Sequence, residues 1–582
     1  MSSPQNRIHD GMHIDWDVEI KMDDGLSLRA DVYRPPKDGK YPVIMSYGPY
    51  AKGLAFQEGY PQQWNMMIND FPDVVSGSTT KYVSWETADP ERWVPEGYVC
   101  VRVDSRGCGS SPGYLNPYSM RERRDYHDCI EWAARQSWST GKIGLLGISY
   151  FAITQWQVAA LRPPHLSAMI PWEGAVDFYR DMAHHGGILC TFRKNWFPKQ
   201  VRTVQHGVGE RGKRNPNTGE LVAGPETLSE DELTKNRTDP GEDLYSHYLE
   251  DEYYSERTAD LSKIDIPILS CANWGGHGLH ARGNFEGFMG AASKNKWLEV
   301  HGLEHWTLFY TSYGLGLQRK FFACYLKGDN NDWEKQPRVF LNLRTVDGGF
   351  VQRGENEWPL KRTKWTRLFL GAANSLNQNV GADAAKHEYD PNGAGMTFST
   401  PPMERETEIT GPSSARLFVS TSTVDADLFL VLHVFDPAGR EIVFKGALDP
   451  HNPFAQGWLR ASHGKLDPSL SLPFRPYHPH KTRELLTPGE IYELEIEIWP
   501  TSIILPKGYR IALTIQGKDY EYGGKGTTIS TFANELKGSG PFLHNDPRDR
   551  PSEIFGGKVT VHYGGAYPSS VLLPIIPSNP HT

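Results

Sequence analysis

The 582-residue sequence has no stretch near the ~18 consecutive apolar residues of a membrane-spanning helix, so no membrane span is expected. Cysteine is scarce. Its six copies (Cys100, Cys108, Cys129, Cys190, Cys271, Cys324) form no C-x-x-C pair and none follows residue 324, which excludes a disulfide scaffold and a cysteine-based zinc site. A basic stripe is missing too, and a net charge of -9 spread along the chain argues against a nucleic-acid partner. The opening MSSPQNRIHDGMHIDWDVEI lacks the apolar centre of a secretion signal. Internal repeats and low-complexity tracts are absent. Together these absences predict a soluble cytoplasmic protein.

What is present is a chain far beyond the ~250–300 residues at which one core stops growing, so two or three domains are expected. Its first half alternates strands and helices. WDVEI and LSLRADVYRP flank the hairpin signal Asp23-Asp24-Gly25. YPVIMSYG, YVCVRVD, KIGLLGIS, LSAMIP, IPILSCA and KWLEVHG are short apolar runs of the kind buried on both faces. Between them, RRDYHDCIEWAARQ repeats Tyr126, Ile130 and Ala133/Ala134 at helical spacing. Such alternation predicts a parallel sheet wrapped by helices. Residues 175–262 break the rhythm with a polar, aromatic and charged stretch too long for a strand–helix connection, read as an inserted helical cap. After LKGDNNDWEKQP the texture changes to short alternating strands. In YELEIEIWP, Tyr492, Leu494, Ile496 and Ile498 oppose Glu493, Glu495 and Glu497, and GYRIALTIQG repeats the pattern. These predict a β-sandwich or jelly roll. The expected organisation is an α/β core over 1–174 and 263–334, the cap over 175–262, and the jelly roll over 335–582.

GLLGISYFAIT (144–154) carries the chemistry. Gly147-Ile148-Ser149 closes a strand and opens a helix, the setting of a nucleophile elbow, in which a tight turn lifts a serine into a cleft. The glycine expected two places after the serine is missing, and Ala152 is the nearest small residue. GISYFAITQWQVAA resembles the elbow of the cocaine esterase and X-prolyl dipeptidyl peptidase group, the CocE/NonD family of α/β-hydrolases. YVCVRVDSRGCGSSPG resembles that family's loop before the elbow, SYGPYAKG its N-P-Y-x-K turn, and ELLTPGEIYELEIEIWPTSIILPKGYRIALTI its late strands. The resemblance runs nearly the full length. It implies an α/β-hydrolase fold with a cap and a C-terminal jelly roll, and Ser149 as the nucleophile.

The fold's order of serine, acid and histidine places the general base after the last sheet strands. KWLEVHGLEHWTLFY offers His301, still inside the strand and read as a packed histidine, and His305, which matches the family's base. The oxyanion donors are expected to be the backbone N–H of Tyr150 and, by resemblance, the Tyr50 hydroxyl, since Pro49 has no N–H to give. The acid departs from the family. Its place in NWGGHGLHARG holds Gly276, with His277 beside it. Glu173, at the end of the neighbouring strand LSAMIP, is the expected substitute; Asp177 reads as a helix starter, and Glu304 points away from His305. His277-x-x-His280 and His184-His185 lack a third ligand at a recognisable spacing, so neither a metal nor a cofactor is expected. Trp172, Trp274, His277 and Trp306 are expected to line the substrate pocket.

The function these residues imply is serine-dependent hydrolysis of a small carboxylic ester through an acyl-enzyme. Amide hydrolysis, as X-prolyl dipeptidyl peptidase or acylase, is the alternative; it needs a carboxylate for the substrate amine, which the acidic cap (Glu230, Asp231, Glu232, Glu250, Asp251, Glu252) offers. A non-catalytic ligand-binding protein with a degenerate triad is the alternative of another class. The oligomeric state is open, a homo-oligomer included.

Overall fold

The computed structural model describes residues 8–577; residues 1–7, part of the opening read for a secretion signal, and 578–582 lie outside the described residues. An 11-stranded sheet organises the first half. Its spatial order is Ile8–His9, Met12–Lys21, Ser27–Arg34, Val99–Asp104, Tyr41–Gly48, Ser139–Ile148, Leu166–Trp172, Ile268–Asn273, Lys296–His301, Val339–Arg344 and Phe350–Glu355. From Val99–Asp104 to Val339–Arg344 every neighbouring pair is parallel, and the pairs at both ends are antiparallel. Parallel strands need cover on both faces. All six residues of Val99–Asp104 are buried accordingly. The helices Met120–Ala134, Tyr150–Ala159, Arg282–Gly290 and Ser312–Phe322 supply that cover. Met120–Ala134 starts on the Ser119 side chain, which accepts from the Glu122 N–H, and it buries Tyr126, Ile130 and Ala133. This is an α/β-hydrolase core.

The sheet runs past the expected division at residue 335. Val339–Arg344 pairs in parallel with Lys296–His301, and Phe350–Glu355 returns antiparallel on it. Short alternating strands read as sandwich, but the pairing partner decides which sheet a strand joins.

Between Leu166–Trp172 and Ile268–Asn273 lies the cap, made of short helices such as Phe192–Trp196, Glu230–Lys235 and Pro240–Ser246 and a small hairpin, His184–His185 with Ile188–Leu189. The C-terminal domain is a 12-stranded jelly-roll-type sheet that closes on itself: Thr407–Thr421 pairs with Tyr492–Leu505 on one side and with Ser570–Ile576 on the other. Leu494, Ile496 and Ile498 enter its core beside Leu417, Leu430 and Leu513, whereas Tyr492 and Tyr509 stay at its rim.

This domain seals the turn after Ile268–Asn273. The Ala447 N–H (3.1 Å) and the Asn452 side-chain amide (2.7 Å) both donate to the Gly275 carbonyl. A Cβ on Gly275 would lie 2.4 Å from the Gly446 Cα, so neither backbone tolerates a side chain there.

Candidate active site

Ser149 sits at the junction of Ser139–Ile148 and Tyr150–Ala159 with φ 57° and ψ -112°, a conformation that non-glycine residues hold only when the surroundings force it. Those surroundings are strong. The Ser149 N–H donates to the Trp172 carbonyl at 3.0 Å, and its carbonyl accepts from Ala152 and Ile153 at 2.9 Å. Gly147 is required: a Cβ there would lie 2.4 Å from the Phe151 Cβ. Ala152 meets Gly174 of the next strand end, where an added Cβ would come within 3.2 Å of the alanine methyl, so the helix start and that strand end pack closely.

The Ser149 hydroxyl opens into a narrow cleft of about 20 Å³, room for roughly one water-sized group. Tyr50, Glu86, His280, His305 and Trp306 line it, together with Gln63, Trp85, Phe192, Trp196, Gln200 and Leu279 from the hydrolase half and cap, and Leu448 and Phe532 from the C-terminal domain. The imidazole on the serine is His280, with Nε2 3.3 Å from the Ser149 Oγ. Burial pushes the His280 imidazole down to about 3, keeping it a neutral acceptor.

His305 lies in the same cleft but makes a different contact. Its Nε2 is 2.7 Å from Oε1 of Glu86, and its Nδ1 has no hydrogen-bond partner among the described residues. Burial pushes the His305 imidazole well down, and burial together with the nearby Glu173 pushes the Glu86 carboxyl well up, so both lean towards their neutral forms. Glu86 is anchored by its own backbone, whose carbonyl accepts from the Ile148 N–H at 3.0 Å.

Glu173, expected as the acid on His305, is engaged elsewhere. Its Oε1 lies 2.7 Å from His301 Nε2 and accepts from the Asn273 amide at 3.2 Å. The other His301 nitrogen, Nδ1, lies 2.7 Å from Glu299 Oε2. The carboxylate thus reaches across Asn273 to the last residue of the next strand but one, while the chain turns at Leu303 (φ 71°) and carries His305 over to Glu86. Burial lowers the His301 pKa, but the two flanking carboxylates outweigh it and raise the imidazole to about 10. His301 is therefore a charged, buried tie between strand ends.

Tyr50 reaches the cleft. Its hydroxyl oxygen accepts from the Trp196 indole N–H at 3.1 Å, which leaves its own proton to donate, and burial holds that proton well above the ordinary phenol range. The Tyr150 side chain points away, donating to Glu122 Oε2 at 2.7 Å, so only its backbone can serve the cleft. Among the expected pocket residues, Trp306 lines the cleft. Trp172 packs tilted on His301, Trp274 donates to the Asn342 carbonyl at 2.7 Å beneath the turn, and His277 stacks on Trp499. These three strand-end and turn side chains face the core and the domain interface. The acidic cap residues are also away from the cleft: Ser229 and Glu232 form a capping box, Asp251 caps Glu252–Ser255, and Glu250 pairs with Arg180.

Known proteins resemble this chain along nearly its whole length. Residues 24–307 match the X-Pro dipeptidyl-peptidase (S15 family) and residues 331–572 its C-terminal non-catalytic domain. Cocaine esterase of Rhodococcus sp. (strain MB1 Bresler) is 24% identical, covering 96% of this chain and 98% of that protein. A putative serine esterase of Mycobacterium bovis is 22% identical over 89% of this chain and 93% of its own length. A crystal structure of a CocE/NonD family hydrolase from Staphylococcus aureus superposes with a TM-score of 0.82 at 35% identity, covering 97% of this chain and 94% of that one. With that identity sustained along almost the whole length, and both peptidase-family domains matched in order, the chain belongs to the CocE/NonD family of hydrolases.

Proposed function

We propose that the protein hydrolyses small carboxylic esters through an acyl-enzyme on Ser149. The observation that carries the reading is the strained elbow that holds the Ser149 hydroxyl 3.3 Å from a neutral, buried imidazole. In this mechanism the Ser149 Oγ attacks the ester carbonyl while its proton passes to His280 Nε2. The oxyanion that forms is held by the Tyr150 N–H and the Tyr50 hydroxyl, both acting on charge that exists only after attack. His280 returns the proton to the leaving alkoxide, and water repeats the sequence on the acyl-enzyme. His305 and Glu86 hold one proton between them across the cleft from His280 and polarise the leaving-group side.

Amide hydrolysis of X-prolyl type is the second reading, supported by the S15 family match. An amino-terminal substrate requires a charged carboxylate for its ammonium. Among the described residues lining the cleft Glu86 is the one carboxyl, and burial drives it towards the neutral acid, which favours an uncharged ester. Among the described residues no helix is long and apolar enough to cross a membrane. All six cysteines are free thiols, which supports a reducing, cytoplasmic setting.

Comparing p-nitrophenyl esters of graded acyl length with amino-acyl-prolyl anilides tests the reading. Ester turnover with a burst of p-nitrophenol is expected; faster turnover of the prolyl anilides would replace the ester reading with the peptidase one.

A further inference from the structure

We propose that the cap contains a second ligand site, a pocket for a small oxyanion, carboxylate or phosphate, built around the buried guanidinium of Arg193. The cavity has a volume of about 250 Å³ and lies between the helical turns following Phe192 and the segment Thr234–Glu242. It shares no lining residue with the catalytic cleft.

Four cations line it: Arg193, Lys194, Arg202 and Arg237. Three have carboxylate partners. Arg202 and Arg237 share Glu230 Oε1 at 3.0 and 2.6 Å, and Lys194 reaches Asp546 at 3.5 Å. Arg193 has no such partner among the described residues. It is 2% exposed, its Nε has no hydrogen-bond partner, and its guanidinium faces the rings of Tyr118, Phe178 and Trp196 at 5.0, 4.9 and 5.4 Å. The two acids in the lining are occupied elsewhere. Asp239 caps its own helix through the Gly241 and Glu242 N–H groups, and Glu242 pairs with Arg548.

A buried cation that faces aromatic rings and the Tyr118 hydroxyl, with no carboxylate beside it among the described residues, is undercompensated, because these neutral groups repay only part of the desolvation of a charge. An anion in the cavity supplies the missing counter-charge, and the planar fork of a guanidinium fits a carboxylate or phosphate in two parallel hydrogen bonds. The volume falls just below the ~300–1,000 Å³ of ordinary small-molecule sites, which limits the ligand to a small anion.

Calorimetric titration and thermal unfolding of the full chain, with inorganic phosphate, succinate, and chloride at matched ionic strength, test the site. Saturable binding with a rise in Tm is expected for phosphate or succinate and not for chloride; the preferred anion identifies the ligand as phosphorylated or carboxylic. Arg193→Met keeps the apolar stem and removes the charge. It is expected to fold with an unliganded Tm at or above that of the parent and to bind at least about tenfold more weakly. Should that variant fail to fold, Thr234→Glu places a carboxylate at the exposed rim and is expected to weaken binding similarly. The proposal is overturned by a lack of saturation with both oxyanions, by an equal response to chloride, or by binding that survives either substitution unchanged.

Discussion

The Ser149 Oγ lies 3.3 Å from His280 Nε2, so the imidazole in contact with the nucleophile comes from the turn after Ile268–Asn273 rather than from the loop after Lys296–His301. Replacing His280 by Asn is expected to cut kcat by roughly 10⁴–10⁶, the range for losing the base of a serine hydrolase. His305→Asn is expected to cost less, about 10²–10⁴, as for a group that assists proton transfer. Pre-steady-state acylation rates of the two variants decide the roles, and the reverse ranking would return the base to His305.

Ser149→Ala should leave only the residual rate that an oxyanion hole and binding provide, ~10³–10⁴ over water. A fluorophosphonate probe should label Ser149 of the parent protein. Mass-spectrometric label elsewhere, with Ser149 unmodified, would remove the serine from its role.

Tyr50→Phe removes one hydroxyl and leaves the ring against Trp196. A fall in kcat of about 10²–10³ with KM nearly unchanged is expected, because the donor acts on charge that develops after attack. A raised KM at constant kcat would make Tyr50 a binding residue instead.

The pH profile follows from the His280 environment. Burial lowers its pKa from 6.5 to about 3, so the base stays neutral as pH falls through the usual imidazole range. The acid limb of kcat/KM should therefore lie well below 6.5, measured within the pH range where the protein stays folded. A midpoint near 6.5 would show that the acting imidazole is solvated.

His301 behaves in the opposite sense. Its folded pKa is raised to about 10, so the folded state holds a proton that the unfolded chain releases near 6.5. The resulting stability is fully present below about 6.5 and is lost as pH rises towards 10. Glu173→Gln weakens this tie and is expected to flatten the alkaline fall in Tm while leaving turnover within about tenfold, since among the described residues its carboxylate bonds His301 and Asn273 rather than Ser149, His280 or His305. A loss of turnover near 10⁴ would instead restore Glu173 as the triad acid.

The elbow was legible because its determinants are local: an apolar strand, Gly147, the serine and a helix follow one another within a few residues. The hydrolase core and the closed β-domain were legible for a similar reason, as each strand carries its own apolar pattern. Glu86 was not. It lies in the long connection between Tyr41–Gly48 and Val99–Asp104, and its place is set by a backbone bond to Ile148, a contact across 62 residues that no periodicity announces. The choice between His301 and His305 for Glu173 failed on the same ground. Adjacent strand ends bring a carboxylate near both, and the turn at Leu303 decides between them. Trp172 and Trp274 were misplaced because a strand-end aromatic can face cleft or core, and only the neighbouring layer tells which.

The backbone contact of Gly275 with Gly446 also bears on how such a chain can change over time. The two halves meet where one lacks a side chain because the other lacks one, directly beside the segment that carries His280. Exchanging the β-domain for that of a relative with a bulkier residue at 446 would press on the turn that aims the imidazole. Chimeras joined after Glu355 should thus recover activity only when 446 and 275 are inherited together, which makes this pair of glycines a unit of heredity spanning two domains.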